Sequence, residues 1–327
     1  MTACTALPET HLTTEALKAL PKKAPRNQFG DTLALLGQTL PNLVVLDADL
    51  ACSTQTKRFA DKFPERFFNQ GIAEMDLVNT AAGLATTGKI PVISTFALFA
   101  SGKAWEAIRN TVCYSGLNVK IMPTHSGLSL GEDGASHQSI EDIALMRVIP
   151  GMTVLIPADA TETDAMVRWA ITEQVGPCYV RLVRPDCPVL FDPAQYQYQP
   201  GKIRVVREGT DVTLAATGET VYEALLAAAQ LATEGITADV LNVNSIKPLD
   251  VETLVASAKK TGRVITVESH QVIGGLGGAV CEAISQYAPT PVTRLGTQDR
   301  FGQSGKAPEL FAEYGIDAAA IMQAVRQ

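Results

Sequence analysis

The stretch "THSGLSLGEDGASHQSIED" at 124–142 gathers His125, Glu132, Asp133 and His137 in a Gly- and Ser-rich loop that follows an apolar run. Two of the chain's four histidines lie within it, where nothing about packing demands them. Metal coordination is one reading, but no third and fourth ligand follow at a familiar spacing, so no metal site is assigned. A polar site for a hydroxylated substrate fits better, because imidazoles donate, accept and move protons near neutral pH. A second candidate is Glu74 in "GIAEMDLVNTAAGLA", where a carboxylate opens a small-residue helix. Taken alone, it is explained by the helix macrodipole, which favours a first-turn carboxylate by roughly 0.3–1 kcal/mol.

"STFALFASGKAWEAIR" at 94–109 sets Phe96 and Phe99 three residues apart at the end of a β-branched run. They are either core aromatics or an apolar slot for a flat heterocycle at the carboxyl end of a parallel strand, where open α/β sheets bind ligands. "YVRLVRP" supplies Arg181 and Arg184, and "PRN" supplies Arg26; these are solvated surface groups or, functionally, bidentate phosphate ligands. "VIGGLGG" at 272–278 suggests a dinucleotide loop, but the glycine register fails and no acidic residue ends a following strand. Its glycines instead allow close backbone packing at a helix start or a subunit contact.

The elements that must position these groups alternate. Strand-like runs at 42–50, 90–96, 118–125, 152–158 and 178–183 are nearly continuous in hydrophobicity, as in a parallel sheet covered on both faces. Helix patterns at 27–40, 74–87, 101–115, 139–147 and 161–175 lie between them. The Pro-rich, aromatic stretch 184–201 breaks the alternation, which restarts with strands at 211–218, 237–246, 262–269 and 290–296 and helices at 221–235 and 277–287. The reading is two α/β domains: a tail over 1–25, a parallel-sheet domain over 26–190, a linker over 191–202 and a smaller domain over 203–327.

Composition removes other classes. With 46% hydrophobic and 19% charged residues the chain is globular. A formal charge of −7 with no basic block excludes a nucleic-acid footprint. No apolar run approaches the about 18–20 residues that span a bilayer. Six cysteines without a C-x-x-C spacing, and no leader-like N-terminus, point to the cytoplasm.

Assembled, the segments "GIAEMDLVNTAAGLA", "STFALFASGKAWEAIRN", "THSGLSLGEDGASHQSIED", "TGRVITVESHQVIGGLG" and "DRFGQSG" resemble transketolase, specifically its pyrimidine-binding and C-terminal domains, in the family's order. The resemblance covers nearly all of the chain after residue 25. It implies that Glu74 contacts the pyrimidine ring of thiamine diphosphate and exchanges a proton with a ring nitrogen. It matches Phe96 and Phe99 to the aromatics packed on that ring and Asp49 to an aspartate near the cofactor. Asp133 and His137 match residues facing the sugar hydroxyls, with His137 a proton shuttle, while His125 lies nearer the phosphate. Arg26, Ser53 and Arg184 match a phosphate-binding set. Gly102 stands where longer members carry a tyrosine, and Arg181 is not a family-wide phosphate ligand.

The family's N-terminal domain, with a "GDG" segment and a downstream Asn for the diphosphate and Mg²⁺, has no counterpart in the sequence. The resemblance therefore implies the small subunit of a split transketolase, paired with a large subunit in an α2β2 assembly and moving a two-carbon ketol unit between phosphorylated sugars of the pentose phosphate type. Two rival readings share the fold: the β subunit of a 2-oxoacid dehydrogenase E1 component, and a non-catalytic α/β scaffold subunit. Against the first stand "GEDGASHQ" and "STFALF"; against the second stands the joint presence of Glu74, Asp133 and His137.

Overall fold

The computed structural model describes residues 13–327. Its strands are β1 (Lys22–Lys23), β2 (Leu43–Asp47), β3 (Phe67–Asn69), β4 (Ile90–Ser94), β5 (Lys120–Ile121), β6 (Thr153–Leu155), β7 (Cys178–Val180), β8 (Cys187–Pro188), β9 (Arg204–Arg207), β10 (Val212–Ala216), β11 (Ala238–Asn242), β12 (Ser245–Lys247), β13 (Val264–Gln271) and β14 (Val292–Thr297). Two α/β domains result. The first is built on the sheet β12-β6-β7-β5-β4-β2-β3, parallel except for β12, which runs antiparallel to β6. All five residues of β2 are buried because helices cover both faces. On one face, helices Pro25–Thr39 and Ala160–Thr172 pack Phe29, Leu33 and Met166 against Val45 and Val180. On the other, Leu77, Val78 and Ile108 pack against Val44, Leu46 and Ile93.

The second sheet, β14-β13-β10-β11-β9, is parallel apart from β9. Helices Thr220–Ala232 and Ala318–Arg326 bury Leu225 and Ile321 with β10 and β13, while Val251–Thr261 and Leu276–Tyr287 bury Leu254 and Leu276 in a cluster that continues into the first domain.

The run at 237–246, expected as one strand, is divided: β11 stays in the second sheet while β12 crosses to the edge of the first. The physical cause is a buried carboxylate. Glu162, on the first-domain helix Ala160–Thr172, accepts from the Asn242 amide at 3.0 and 3.1 Å and the Asn244 amide at 2.6 Å, which draws the chain across between the two. Of the expected N-terminal tail, residues 1–12 lie outside the described residues; helix Thr14–Lys18 follows, with Leu17 buried in the second domain's core.

Arg181 is wholly interior. Its guanidinium donates to Asp142 at 2.8 and 3.1 Å and to the carbonyls of Ser139 at 3.2 Å and Ser269 at 3.0 Å, tying the two domains together. Burial pushes the Asp142 carboxyl up, but the charge and hydrogen bonds of Arg181 outweigh it and hold it below the ordinary value. The "GGLGG" glycines serve this same interior. Glu268 accepts from the Leu276 and Gly277 N–H groups at 2.6 and 2.8 Å at the start of helix Leu276–Tyr287, and a Cβ on Gly275 would meet the His270 ring at 2.5 Å. His270 is fully buried between the domains.

Candidate active site

The candidate residues converge beyond the carboxyl ends of β2, β3, β4, β5 and β7, as the parallel sheet requires, with Arg26 added from the start of helix Pro25–Thr39. After β2, buried Asp47 accepts from the Leu50 N–H at 2.6 Å, the Thr54 hydroxyl at 2.7 Å and the Thr56 hydroxyl at 2.9 Å, which folds the loop carrying Asp49 and Ser53. Asp49 is exposed in a left-handed conformation (φ 64°), held by Asn69 at the end of β3: its N–H donates to the Asn69 amide oxygen at 3.0 Å and its carboxylate accepts from the amide nitrogen at 3.2 Å. Asn69 also accepts from Gly71 N–H at 3.0 Å, and so joins this loop to the turn that leads into Glu74.

Glu74 is the first residue of helix Glu74–Thr86 and is only 4% exposed. Both carboxylate oxygens lie 3.4 Å from the ammonium of Lys103. That ammonium also sits 4.6 Å from the centre of the Phe99 ring. The geometry comes from a wide π turn over Phe99–Lys103, in which Ala104 N–H reaches back to the Phe99 carbonyl at 3.3 Å. The buried Glu74 carboxylate thus faces a cation that also covers an aromatic ring. Lys103 escaped the sequence reading as a site residue, although a cation four positions after an aromatic on a helical segment is a readable signal.

Phe96 and Phe99 lie nearly parallel, 5.8 Å between centres at 18°. His125 stacks on Phe96 at 3.9 Å, and His137 meets both rings edge-on at 6.2 and 5.5 Å. His125 is buried with φ 62°, a conformation rare outside glycine and concentrated at functional sites. Arg26 points Nη1 at its Nε2 from 3.4 Å, and a guanidinium can only donate. The ring proton therefore sits on Nδ1 and goes to the Thr124 hydroxyl at 2.7 Å. Burial, then the charges of Arg26 and Arg184, depress the His125 pKa to about 3, so it is neutral at ordinary pH. The His137 Nδ1 is anchored 2.9 Å from the Ser136 hydroxyl, and Nε2 has no hydrogen-bond partner among the described residues.

Arg26 also donates to the Ser53 carbonyl at 2.9 Å. Arg184 donates to the Leu130 carbonyl at 2.9 Å, approaches Glu132 at 3.6 Å, and shares with Arg26 a cleft of about 470 Å³. Burial and the neighbouring Arg184 charge hold the Arg26 pKa below its ordinary value, which marks a place where an anion is favoured. Phe96, Phe99, His125, His137, Arg26 and Ser53 are thus linked by direct contacts, Glu74 joins them through Lys103, and Arg184 closes the Arg26 end. Asp133 and Asp49 stand exposed at the rim; neither makes a hydrogen bond or ion pair to this group among the described residues.

The loop bearing His137 is seated by the second domain. Gln138 donates to the Leu128 carbonyl at 3.1 Å and, across the domain boundary, to the Gln303 carbonyl at 3.0 Å. Gly302 must be glycine because a Cβ there would run into Gln138. "GEDGASHQ" and "DRFGQSG" are therefore two halves of one packed unit.

The transketolase pyrimidine-binding domain model matches residues 22–189 and the transketolase C-terminal domain model matches 201–321. The chain belongs to the transketolase family. It is 49% identical over 307 residues to a putative transketolase C-terminal section of Methanocaldococcus jannaschii, covering 93% of this chain and 96% of that one. It is 41% identical over 302 residues to a 6-deoxy-6-sulfo-D-fructose transketolase subunit of a Clostridium species, covering 92% and 93%. A solved split-gene transketolase, described as an inactive β4 tetramer, superposes with a TM-score of 0.85 at 50% identity, covering 94% of this chain and 98% of that one. Transketolase domains imply dependence on thiamine diphosphate, and the residues present fit its flat aminopyrimidine: a buried carboxylate and an aromatic face, both in contact with Lys103. No helix among the described residues is long and apolar enough to cross a membrane.

Proposed function

We propose that this chain is the small subunit of a two-subunit transketolase that moves a two-carbon ketol unit from a ketose phosphate to an aldose phosphate. The observation that carries the reading is the buried Glu74 carboxylate, joined through Lys103 to the Phe99 face, in one crevice with His125, His137 and Arg26. Thiamine diphosphate supplies, when bound, the carbon nucleophile that the side chains of a protein lack. Glu74 holds the pyrimidine ring and the proton exchanged at its nitrogen, Phe96 and Phe99 present apolar faces, and Asp49 lines the cofactor's rim. His137, with Nε2 unpartnered among the described residues, moves protons at the sugar hydroxyls that Asp133 also contacts. Neutral His125, with Arg26, Ser53 and Arg184, receives the phosphate end.

The diphosphate and Mg²⁺ are assigned to a separate large subunit in an α2β2 assembly. Relatives of matching length support a separate chain: one is named a C-terminal section, another comes from a split gene. On this reading residues 26–190 form the pyrimidine-binding domain and 203–327 the C-terminal domain, joined by a linker over 191–202, and the enzyme works in the cytoplasm on sugars of the pentose phosphate type. The test is co-expression with a chain that carries the "GDG" segment, followed by a ketol-transfer assay with xylulose 5-phosphate, ribose 5-phosphate, thiamine diphosphate and Mg²⁺, each chain also being assayed alone. Activity in the mixture only is expected. A stable complex that instead decarboxylates a 2-oxoacid refutes the reading in favour of the dehydrogenase β subunit.

A further inference from the structure

Among the described residues, Lys103 is the sole side-chain partner of the Glu74 carboxylate. A carboxylate only 4% exposed would otherwise be a buried charge without a counter-ion, an arrangement that folded chains avoid. The ammonium lies where a flat ring resting on Phe99 and hydrogen-bonded to Glu74 would lie: 4.6 Å from the ring centre and 3.4 Å from both oxygens. The neighbouring ring offers no equal alternative, since a Phe96 face is covered by His125 at 3.9 Å. The lysine can also leave. Its side chain is 53% exposed, and beside its base Gly102 opens on space with nothing within 4 Å of its Cβ position.

We propose that Lys103 is a displaceable counter-ion, which neutralises Glu74 and covers Phe99 in the free subunit and is expelled when the cofactor's pyrimidine takes that seat. The inference rests on the assignment of a thiamine diphosphate site to this crevice. It makes Lys103 a positioning residue that sets cofactor affinity: the cofactor must break one ion pair before it binds. A half-exposed pair is weak, so the competition is worth about fivefold in affinity.

The test uses amine labelling of Lys103, read by peptide mass spectrometry, with thiamine diphosphate affinity measured by calorimetry on the assembled enzyme. Glu74→Gln is expected to raise labelling of Lys103 several-fold in the isolated chain. Adding cofactor to the assembled wild type raises it likewise. Lys103→Met tightens cofactor binding about fivefold, whereas Lys103→Arg, which keeps the charge, stays within about twofold of wild type. Cofactor that binds while Lys103 labelling stays constant or falls overturns the displacement and leaves the site assignment standing, as does unchanged or weaker binding by Lys103→Met. An assembled wild type that takes up no cofactor overturns the site assignment and the displacement with it.

Discussion

Breaking the buried Asp142–Arg181 pair is expected to cost a large share of the protein's stability. Asp142 is fully buried and Arg181 is 3% exposed, and the carboxylate accepts three hydrogen bonds: Arg181 Nε at 2.8 Å, Arg181 Nη2 at 3.1 Å and the Tyr179 hydroxyl at 2.8 Å. Asp142→Leu strands a guanidinium in the interior, which costs about 3–5 kcal/mol. A core cluster runs through both domains, so the two are expected to unfold as one cooperative unit. With about 2.1 cal/mol/K of unfolding entropy per residue, the loss lowers Tm by about 4–7 °C, read by calorimetry. Arg181→Met strands the carboxylate and costs a similar amount. The double variant is expected to lose much less than the two single losses added together, because no charge is left alone. The sign with pH follows from the depressed Asp142 pKa: the pair's contribution is complete above the unfolded value of about 3.9 and is lost as pH falls through the lower folded value. A single-variant Tm shift below about 2 °C, or a double variant as unstable as the sum, refutes the reasoning. A raised KM for a sugar phosphate at unchanged Tm in Arg181→Met would place Arg181 in the phosphate site instead.

Glu74→Ala is expected to keep folding and assembly, losing about 1 kcal/mol or less at the helix start, while removing most turnover; normal ketol transfer in the assembled variant contradicts the role given to this carboxylate. Arg184→Ala should chiefly raise KM for phosphorylated sugars by about 1.5–3 kcal/mol, roughly tenfold to a hundredfold or more, with kcat little changed; an unchanged KM removes Arg184 from the site. His125 is depressed to about 3 when folded, so the unfolded chain binds its proton first, and its contribution to stability is complete above about pH 6.5 and declines as pH falls toward 3. In His125→Asn the slope of Tm against pH between about 4 and 6.5 should be shallower than in wild type; identical slopes would show that His125 is not held neutral.

The alternation of apolar runs with helical patterns announced two α/β domains, because a strand covered on both faces must be apolar throughout, as β2 is. Most candidate site residues were legible for a related reason: a parallel sheet places the residue just after each strand at one end, so Phe96, His125 and Arg184 converge from distant positions. Local pattern does not record which long-range partner a buried polar group finds. The run at 237–246 reads as one strand, yet Glu162, some 80 residues earlier, draws its two asparagines and splits it between sheets. Arg181 and Arg184 are three positions apart in one run, and only packing puts the first in the interior against Asp142 and the second in a cleft. Lys103 reads as one more helix-surface cation until the π turn carries it onto Glu74. Composition and periodicity thus determined the layers and the end of the sheet that carries the site, since burial and backbone geometry act residue by residue. The charge partners were decided by tertiary structure alone, since the energy of a buried ion depends on which group stands within a few ångströms of it.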